Sequence, residues 1–372
     1  MRNVTAVVAA SIASMSMCGL SLAQIAIPTQ VRASDAALNR NFGTSVALSA
    51  DTLVVGAPSG ANDGSVYVFR WTGSGWAQEQ KIPGPNLASG PQTGFGRGVA
   101  VSGDTLVIGA NVDDTAATDA GSAFVYVRNS GVWTLQQKLT VAGGALNDNF
   151  GDAVAIDGDT IVCAASGADA GGTDRGSLYS FVRTGTVWGT ASTLPPRTGA
   201  ADNDKIGQGG ALSIDGDTLV AGARSASSSN GRVAVYKRQI STWSVDAVLS
   251  SPDSGSDTTA QFGSSVSIKG DALAVGAIAS VKTVTTGGGA YVFRRTAGTW
   301  GSGVLVVPTG LANGDAYGSS IAMGNDLLIV GAAGGPGNTG AAFGFKFTDG
   351  AWATDARFVA TDATVGDAFG SS

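Results

Sequence analysis

Between Gly151 and Trp188 the chain alternates apolar and small or polar residues in short bursts. "GDAVAI" (151–156) has a period of two and ends at Asp157-Gly158, a pair that tolerates positive φ and suits a two-residue hairpin. "TIVCAA" (160–165) is almost wholly apolar, as expected of a strand covered on both faces. A longer loop leads to "GSLYSFVR" (176–183), again alternating, and the short turn "TGTV" leads to a further strand beginning at Trp188. The pattern therefore predicts four short antiparallel strands, A to D, in about 50 residues.

The unit repeats. The last Asp of "DGDT" (157–160) has counterparts at Asp51, Asp104, Asp159, Asp217, Asp271 and Asp326. Nine residues before each lies an aromatic-Gly step: Phe42-Gly43, Phe95-Gly96, Phe150-Gly151, Phe262-Gly263 and Tyr317-Gly318, with the fourth copy decayed to Gln208-Gly209. Trp76, Trp133, Trp188, Trp243, Trp300 and Trp352 keep the same rhythm. Six such units predict an all-β fold, a β-propeller of four-stranded antiparallel blades. The repeated Gly fits a crowded position near the central channel, and the Trp is expected to pack between neighbouring blades.

The Phe-Gly steps, with "VVGAPSG" (54–60) and its variants "VIGAN" (107–111), "VAGAR" (220–224), "AVGAI" (274–278) and "IVGAA" (329–333), resemble the FG-GAP repeats of integrin α-subunit heads and bacterial secreted proteins. The resemblance covers Phe42 to about Ala360. It implies a propeller that is seven-bladed in design. Residues 42–368 then form six complete blades, and Phe369 to Ser372 open a seventh blade that is truncated. Residues 24–41 read like the strand D and exit loop that precede every later Phe-Gly, so they are expected to act as an N-terminal closing strand, poorly ordered or weakly docked for want of partners. A six-bladed protein with a short tail is the alternative. The family's calcium motif, Asp-x-Asp-x-Asp-Gly between strands A and B, is missing. The turns here read "SADT", "SGDT", "DGDT", "DGDT", "KGDA" and "GNDL", and calcium is left open without that motif.

Composition sharpens this picture. Of 28 acidic residues only Glu79 is a glutamate, histidine is absent and glycine reaches 56, so carboxylates belong to turns rather than helix surfaces. Residues 1–23 read as a signal peptide: Arg2, a small-residue apolar run, and Ser21-Leu22-Ala23 before Gln24. A membrane anchor is the alternative, but no other apolar run approaches the ~18 residues of a spanning helix. The mature chain is expected to be secreted or displayed at the cell surface, without membrane insertion. Without Arg2 it carries 21 basic and 28 acidic residues, a poor match for nucleic acid. Its one remaining cysteine, Cys163, lies in a buried-strand pattern and makes no internal disulfide.

Antiparallel order puts the short A–B and C–D turns on one face and the B–C and D–A connections on the other. The latter are longer, variable and rich in Asp, which makes that face the expected binding surface. Asp63, Asp113, Asp114, Asp119, Asp169 and Asp174, in the first three B–C loops, are the candidate ligand-binding residues, for a cation or for a basic or hydroxylated group; solvated turn carboxylates are the alternative. Asp148, Asp204, Asp315 and Asp367, near the blade starts, are expected to order their loops.

Without histidine there is no Ser-His-Asp or Cys-His catalysis, and one cysteine gives no Cys-x-x-Cys pair. "GPGNTG" (335–340) fits Gly-x-Gly-x-x-Gly but precedes a strand, not a helix. The expected function is a non-enzymatic scaffold for a protein partner or for adhesion, with no cofactor. A lectin-like, glycan-binding propeller is the alternative, and an Asp-based glycan-cleaving enzyme a more distant one.

Overall fold

The computed structural model describes residues 31–35, 41–59, 64–85, 93–255, 257, 259–281, 287–334 and 339–372. They form six antiparallel blades in an all-β propeller. Blade one comprises Ser45–Ser49, Thr52–Ala57, Ser65–Trp71 and Trp76–Pro83 as strands A to D. Blade two comprises Phe95–Ser102, Thr105–Ala110, Ser122–Asn129 and Val132–Leu139. In blade three, Phe150–Asp157, Thr160–Ala165 and Ser177–Thr184 are followed by an outer strand in two pieces, Val187–Trp188 and Ser192–Thr193. Blade four comprises Leu212–Asp215, Thr218–Ala223, Arg232–Gln239 and Thr242–Leu249. Blades five and six begin at Phe262–Lys269 and Tyr317–Met323. Among the described residues no helix is long and apolar enough to cross a membrane.

Strand B is buried along almost its whole length in every blade, as its apolar run requires. From blade one to blade six, strand A of each blade packs against strand A of the one that follows it in the chain. Close approach demands glycine there. A Cβ on Gly56, Gly109, Gly222, Gly276 or Gly331 would fall 1.9–2.2 Å from the carbonyl oxygen of Gly96, Gly151, Gly263, Gly318 or Gly370 respectively, the Gly of the next Phe-Gly step. In blades two, three and five the Phe of that step packs edge-on against two aromatics of its own strand C, as Phe95 does against Phe124 and Tyr126, and Phe150 against Tyr179 and Phe181.

The tryptophans bridge blades through their outer strands. Trp133, 2% exposed, donates its indole N–H to Glu79 of blade one (3.0 Å), while Gln80 bonds both its backbone groups. Trp188 repeats this with Gln136 and Gln137 of blade two, and Trp300 reaches Asp246. An arginine at the end of strand C stacks over four of the rings: Arg128 over Trp133, Arg183 over Trp188, Arg238 over Trp243 and Arg295 over Trp300. The same arginines pair with the repeated turn aspartates Asp104, Asp159, Asp217 and Asp271. These carboxylates of the A–B turns are thus engaged by guanidinium groups.

Two details correct the sequence reading. The fourth Phe-Gly is not Gln208-Gly209 but Ile206-Gly207. Ile206 N–H bonds the carbonyl of Arg175 as Phe150 N–H bonds that of Ala120, and Gly207 N–H bonds the carbonyl of Gly222 as Gly43 N–H bonds that of Gly56. Two extra residues, absorbed in a short 3-10 turn at Gln208–Gly210, displaced the spacing. The second concerns the segment 24–41, expected to be poorly ordered or weakly docked: residues 24–30 and 36–40 lie outside the described residues, but residues 31–35 make specific contacts. Val31 is buried in the cluster of Phe42, Leu53 and Tyr67. Asp35 accepts the Tyr67 hydroxyl (2.7 Å) and Lys81 (2.6 Å), and Ser34 and Gln78 bond reciprocally. The signal-peptide segment 1–23 and Asp63 lie outside the described residues.

Apolar clusters join blades one to two, two to three, three to four, four to five and five to six. Blades six and one have separate clusters, one holding Phe369 and the other Val31. Between them run the Ser372 hydroxyl bond to Gly43 O (2.5 Å) and the Arg32–Asp362 ion pair (3.6 Å).

Candidate binding site

The B–C and D–A connections do share a face. Asn147 and Asn149 N–H bond the carbonyls of Thr118 and Asp119, and Asn203 and Lys205 N–H bond those of Thr173 and Asp174. The candidate aspartates on this face serve their own loops. Asp113, 1% exposed, accepts Thr115 N–H (3.0 Å), the Ser122 hydroxyl (2.5 Å) and the Lys138 ammonium (2.6 Å). Burial opposes its ionisation, but the bonds from Lys138, Ser122 and Thr115 outweigh that and hold its pKa below the usual carboxylate value. Asp114 caps Asp119 N–H (2.7 Å) and Asp169 caps Asp174 N–H (2.9 Å). Among the described residues no three acidic side chains converge on a common metal position. Asp148, Asp204, Asp315 and Asp367 each accept the N–H three residues back, which closes their loops.

A different set of residues forms a concavity on this face. The residue after each aromatic-Gly step is Thr44 in blade one, Ser264 in blade five and Ser319 in blade six; the Thr44 and Ser264 hydroxyls fold back onto the chain three residues earlier. In blades two, three and four the same position holds Arg97, Asp152 and Gln208. The residue after strand B follows the same division. It is Pro58, Ile278 and Ala333 in blades one, five and six, but Asn111, Ser166 and Arg224 in blades two to four. Together with Asn147, Asn149, Asp174 and Lys205 these six side chains line a polar cavity of about 420 Å³ at the channel rim. Of the candidate aspartates among the described residues, only Asp174 lines it.

Asp152 organises the cavity from beneath. It is buried and accepts Arg97 Nε (2.9 Å), the Ser166 hydroxyl (2.8 Å) and Gly209 N–H (3.2 Å). The last of these comes from the inserted turn, so the insertion in blade four reaches back to blade three. Asp174 pairs with Lys205 (3.0 Å). Arg224 makes only a long contact with Gln208 (3.4 Å), which leaves its guanidinium to present donors to the cavity. The arrangement offers two guanidiniums, an ammonium and several side-chain amides. Apart from Asp174, these residues lie outside the B–C-loop aspartates that the sequence singles out. The signal is nonetheless present as two repeat columns whose residues differ from those of the other blades in three consecutive blades.

Comparison with known proteins bears on the fold. The FG-GAP repeat family matches residues 29–69, 76–126, 133–181 and 243–293, together more than half of the chain. Among solved structures, the chain resembles a "putative 6-phosphogluconolactonase" from Bacteroides uniformis, with 11% identity, 85% of each chain covered and a TM-score of 0.55. It also resembles a protein from Lactobacillus plantarum, with 14% identity, 87% of this chain and 86% of the other covered, and a TM-score of 0.53. At such identities the likeness is one of fold alone. A search among curated proteins gave no match. The repeats, the blades they build and this match agree: the chain belongs to the FG-GAP repeat family.

Proposed function

We propose that this propeller is an exported, non-enzymatic binding scaffold, engaging a protein or glycan ligand through the face of its B–C and D–A loops. The observation that carries the reading is the polar cavity at the channel rim, where two repeat columns change character together in blades two to four. Fixed loops and a rigid strand scaffold hold it, as recognition surfaces require. Its carboxylates are engaged, Asp152 by three donors and Asp174 by Lys205, which favours binding over acid–base chemistry. The glycan reading draws on the amides of Asn111, Asn147, Asn149 and Gln208, groups suited to hydroxyls. Binding to glycan and extracellular-protein arrays, with and without calcium, tests the reading. Hits on either array support it. No hit on both, or turnover of a bound glycan, counts against it.

The ring is proposed to be seven-bladed in design, with a further blade between blades six and one. Phe369 bridges Gly340 as Phe95, Phe150, Phe262 and Tyr317 bridge Gly64, Gly121, Gly231 and Gly288. The Ser372 bond to Gly43 O repeats Ser45 to Gly96, Ser265 to Gly318 and Ser320 to Gly370, each linking one blade position to the next. Asp35 meets Tyr67 as Asp253, in the connection to blade five, meets Tyr291. Successive blades related by about 51° in an experimental structure support this design, and about 60° contradicts it.

A further inference from the structure

We propose that the seam between blades three and four holds a second ligand site, separate from the channel rim, which takes a small aromatic carboxylate. The repeat supplies its own control. Between blades two and three, the B–C loop, the D–A connection, Phe150 and Tyr179 enclose a residual space of about 10 Å³. The equivalent place one repeat later opens to about 290 Å³. Two rings are missing there. Phe150 is replaced by Ile206, and Tyr179, which faces Cys163 on strand B, is replaced by Ala234, which faces Ala221. An apolar cavity of roughly 150 Å³ already holds benzene, so the space lost by these rings accommodates one.

The walls define the polar end of the ligand. Leu178, Leu194, Ile206 and Tyr236 line the cavity, and the charged residues lining it are Arg175 and Arg197. Arg197 stands where the previous repeat has Val141 and is 6% exposed. One terminal nitrogen is held by the Asp204 carboxylate and the other by the carbonyl of Gly199 (2.9 Å). Its Nε–H is buried and has no partner. An arginine brought into an apolar cavity and left with an unmet donor lacks one acceptor, which a ligand carboxylate provides. Asp204 fixes the guanidinium in place, and no carboxylate among the lining residues repels an anion.

Titration calorimetry of the whole chain with phenylacetate, acetate and benzyl alcohol tests the site. Phenylacetate should bind, and acetate and benzyl alcohol at least tenfold more weakly. Ala234→Phe and Ile206→Phe restore the rings of the neighbouring repeat and should fold, each weakening phenylacetate at least tenfold. Arg197→Met combined with Asp204→Asn, which avoids an orphaned carboxylate, should do the same; if that pair does not fold, the ring-restoring variants decide. Absence of phenylacetate binding at 10 mM, equal binding of benzyl alcohol, or unchanged binding in Ala234→Phe would overturn the proposal. None of these outcomes bears on the rim cavity, whose residues are different.

Discussion

Replacing Gly109 with alanine should wedge blades two and three apart. Gly109 sits in buried strand B of blade two, and a Cβ there would fall 1.9 Å from Gly151 O and 2.9 Å from Gly151 C. Ordinary contact begins near 3.4 Å, so backbone, not a flexible side chain, must yield by about 1.5 Å. The φ of Gly109 is not in the left-handed region, so the effect is steric and not conformational. Overpacking of this kind costs about 1–3 kcal/mol, partly offset by about 0.4–1 kcal/mol from the stiffer unfolded chain. The expected net loss is therefore about 0–2.6 kcal/mol, and the difference from an unclashed glycine about 1–3 kcal/mol. Gly75 is the control, since nothing lies within 4 Å of its Cβ position. Gly75→Ala should be neutral or stabilising. Urea midpoints at constant m-value measure both. Blade three shows what accommodation entails: the Gly109 position is Ala164, and the next chain segment detours through Gln208–Gly210 before strand A begins at Leu212. If Gly109→Ala unfolds within 0.5 kcal/mol of Gly75→Ala, close blade approach is not what keeps glycine there.

Other consequences are measurable in the same way. Trp133→Ala removes a buried ring and its bond to Glu79 and should cost about 3–5 kcal/mol by urea unfolding. Because Asp113 has a depressed folded pKa, its stabilisation is present above the unfolded value of 3.8 and is lost as pH falls through the folded value; Asp113→Asn should flatten the acid limb of the stability–pH curve. Burial pushes the Tyr126 phenol up to about 12, and Tyr236 and Tyr317 also rise. Unfolded phenols ionise first, so stability should decline from pH 10 upward, followed by denaturation monitored at tyrosine absorbance.

The blades were legible because their determinants are local and repeated: a Phe-Gly step, a two-residue turn and a Trp, each needed once per unit. The rim was less legible because its residues come from three blades and no single loop announces them. Arg97 and Asp152 are ordinary surface letters until the Phe-Gly columns are aligned. Gln208 was misassigned because a fixed nine-residue spacing hid an insertion whose backbone Gly209 N–H bonds Asp152. The candidate aspartates are legible for the opposite reason. Asp114 and Asp169 are conspicuous by charge, but each closes its own loop. Replacement of two rings by Ile206 and Ala234 likewise acquires meaning only when the cavity between blades three and four is set against its filled neighbour.

The account rests on recognition at the channel rim, and array binding by paired charge variants tests this most directly. Arg224→Ala with Gln208→Ala alters the rim, while Lys237→Ala removes one positive charge from an exposed strand C position beside Thr218, toward the opposite face. On glycan and extracellular-protein arrays that the wild-type chain binds, the rim variant should lose at least tenfold in signal and Lys237→Ala should match the wild type. Retained binding by the rim variant, or its loss in Lys237→Ala, would place recognition elsewhere and contradict the account.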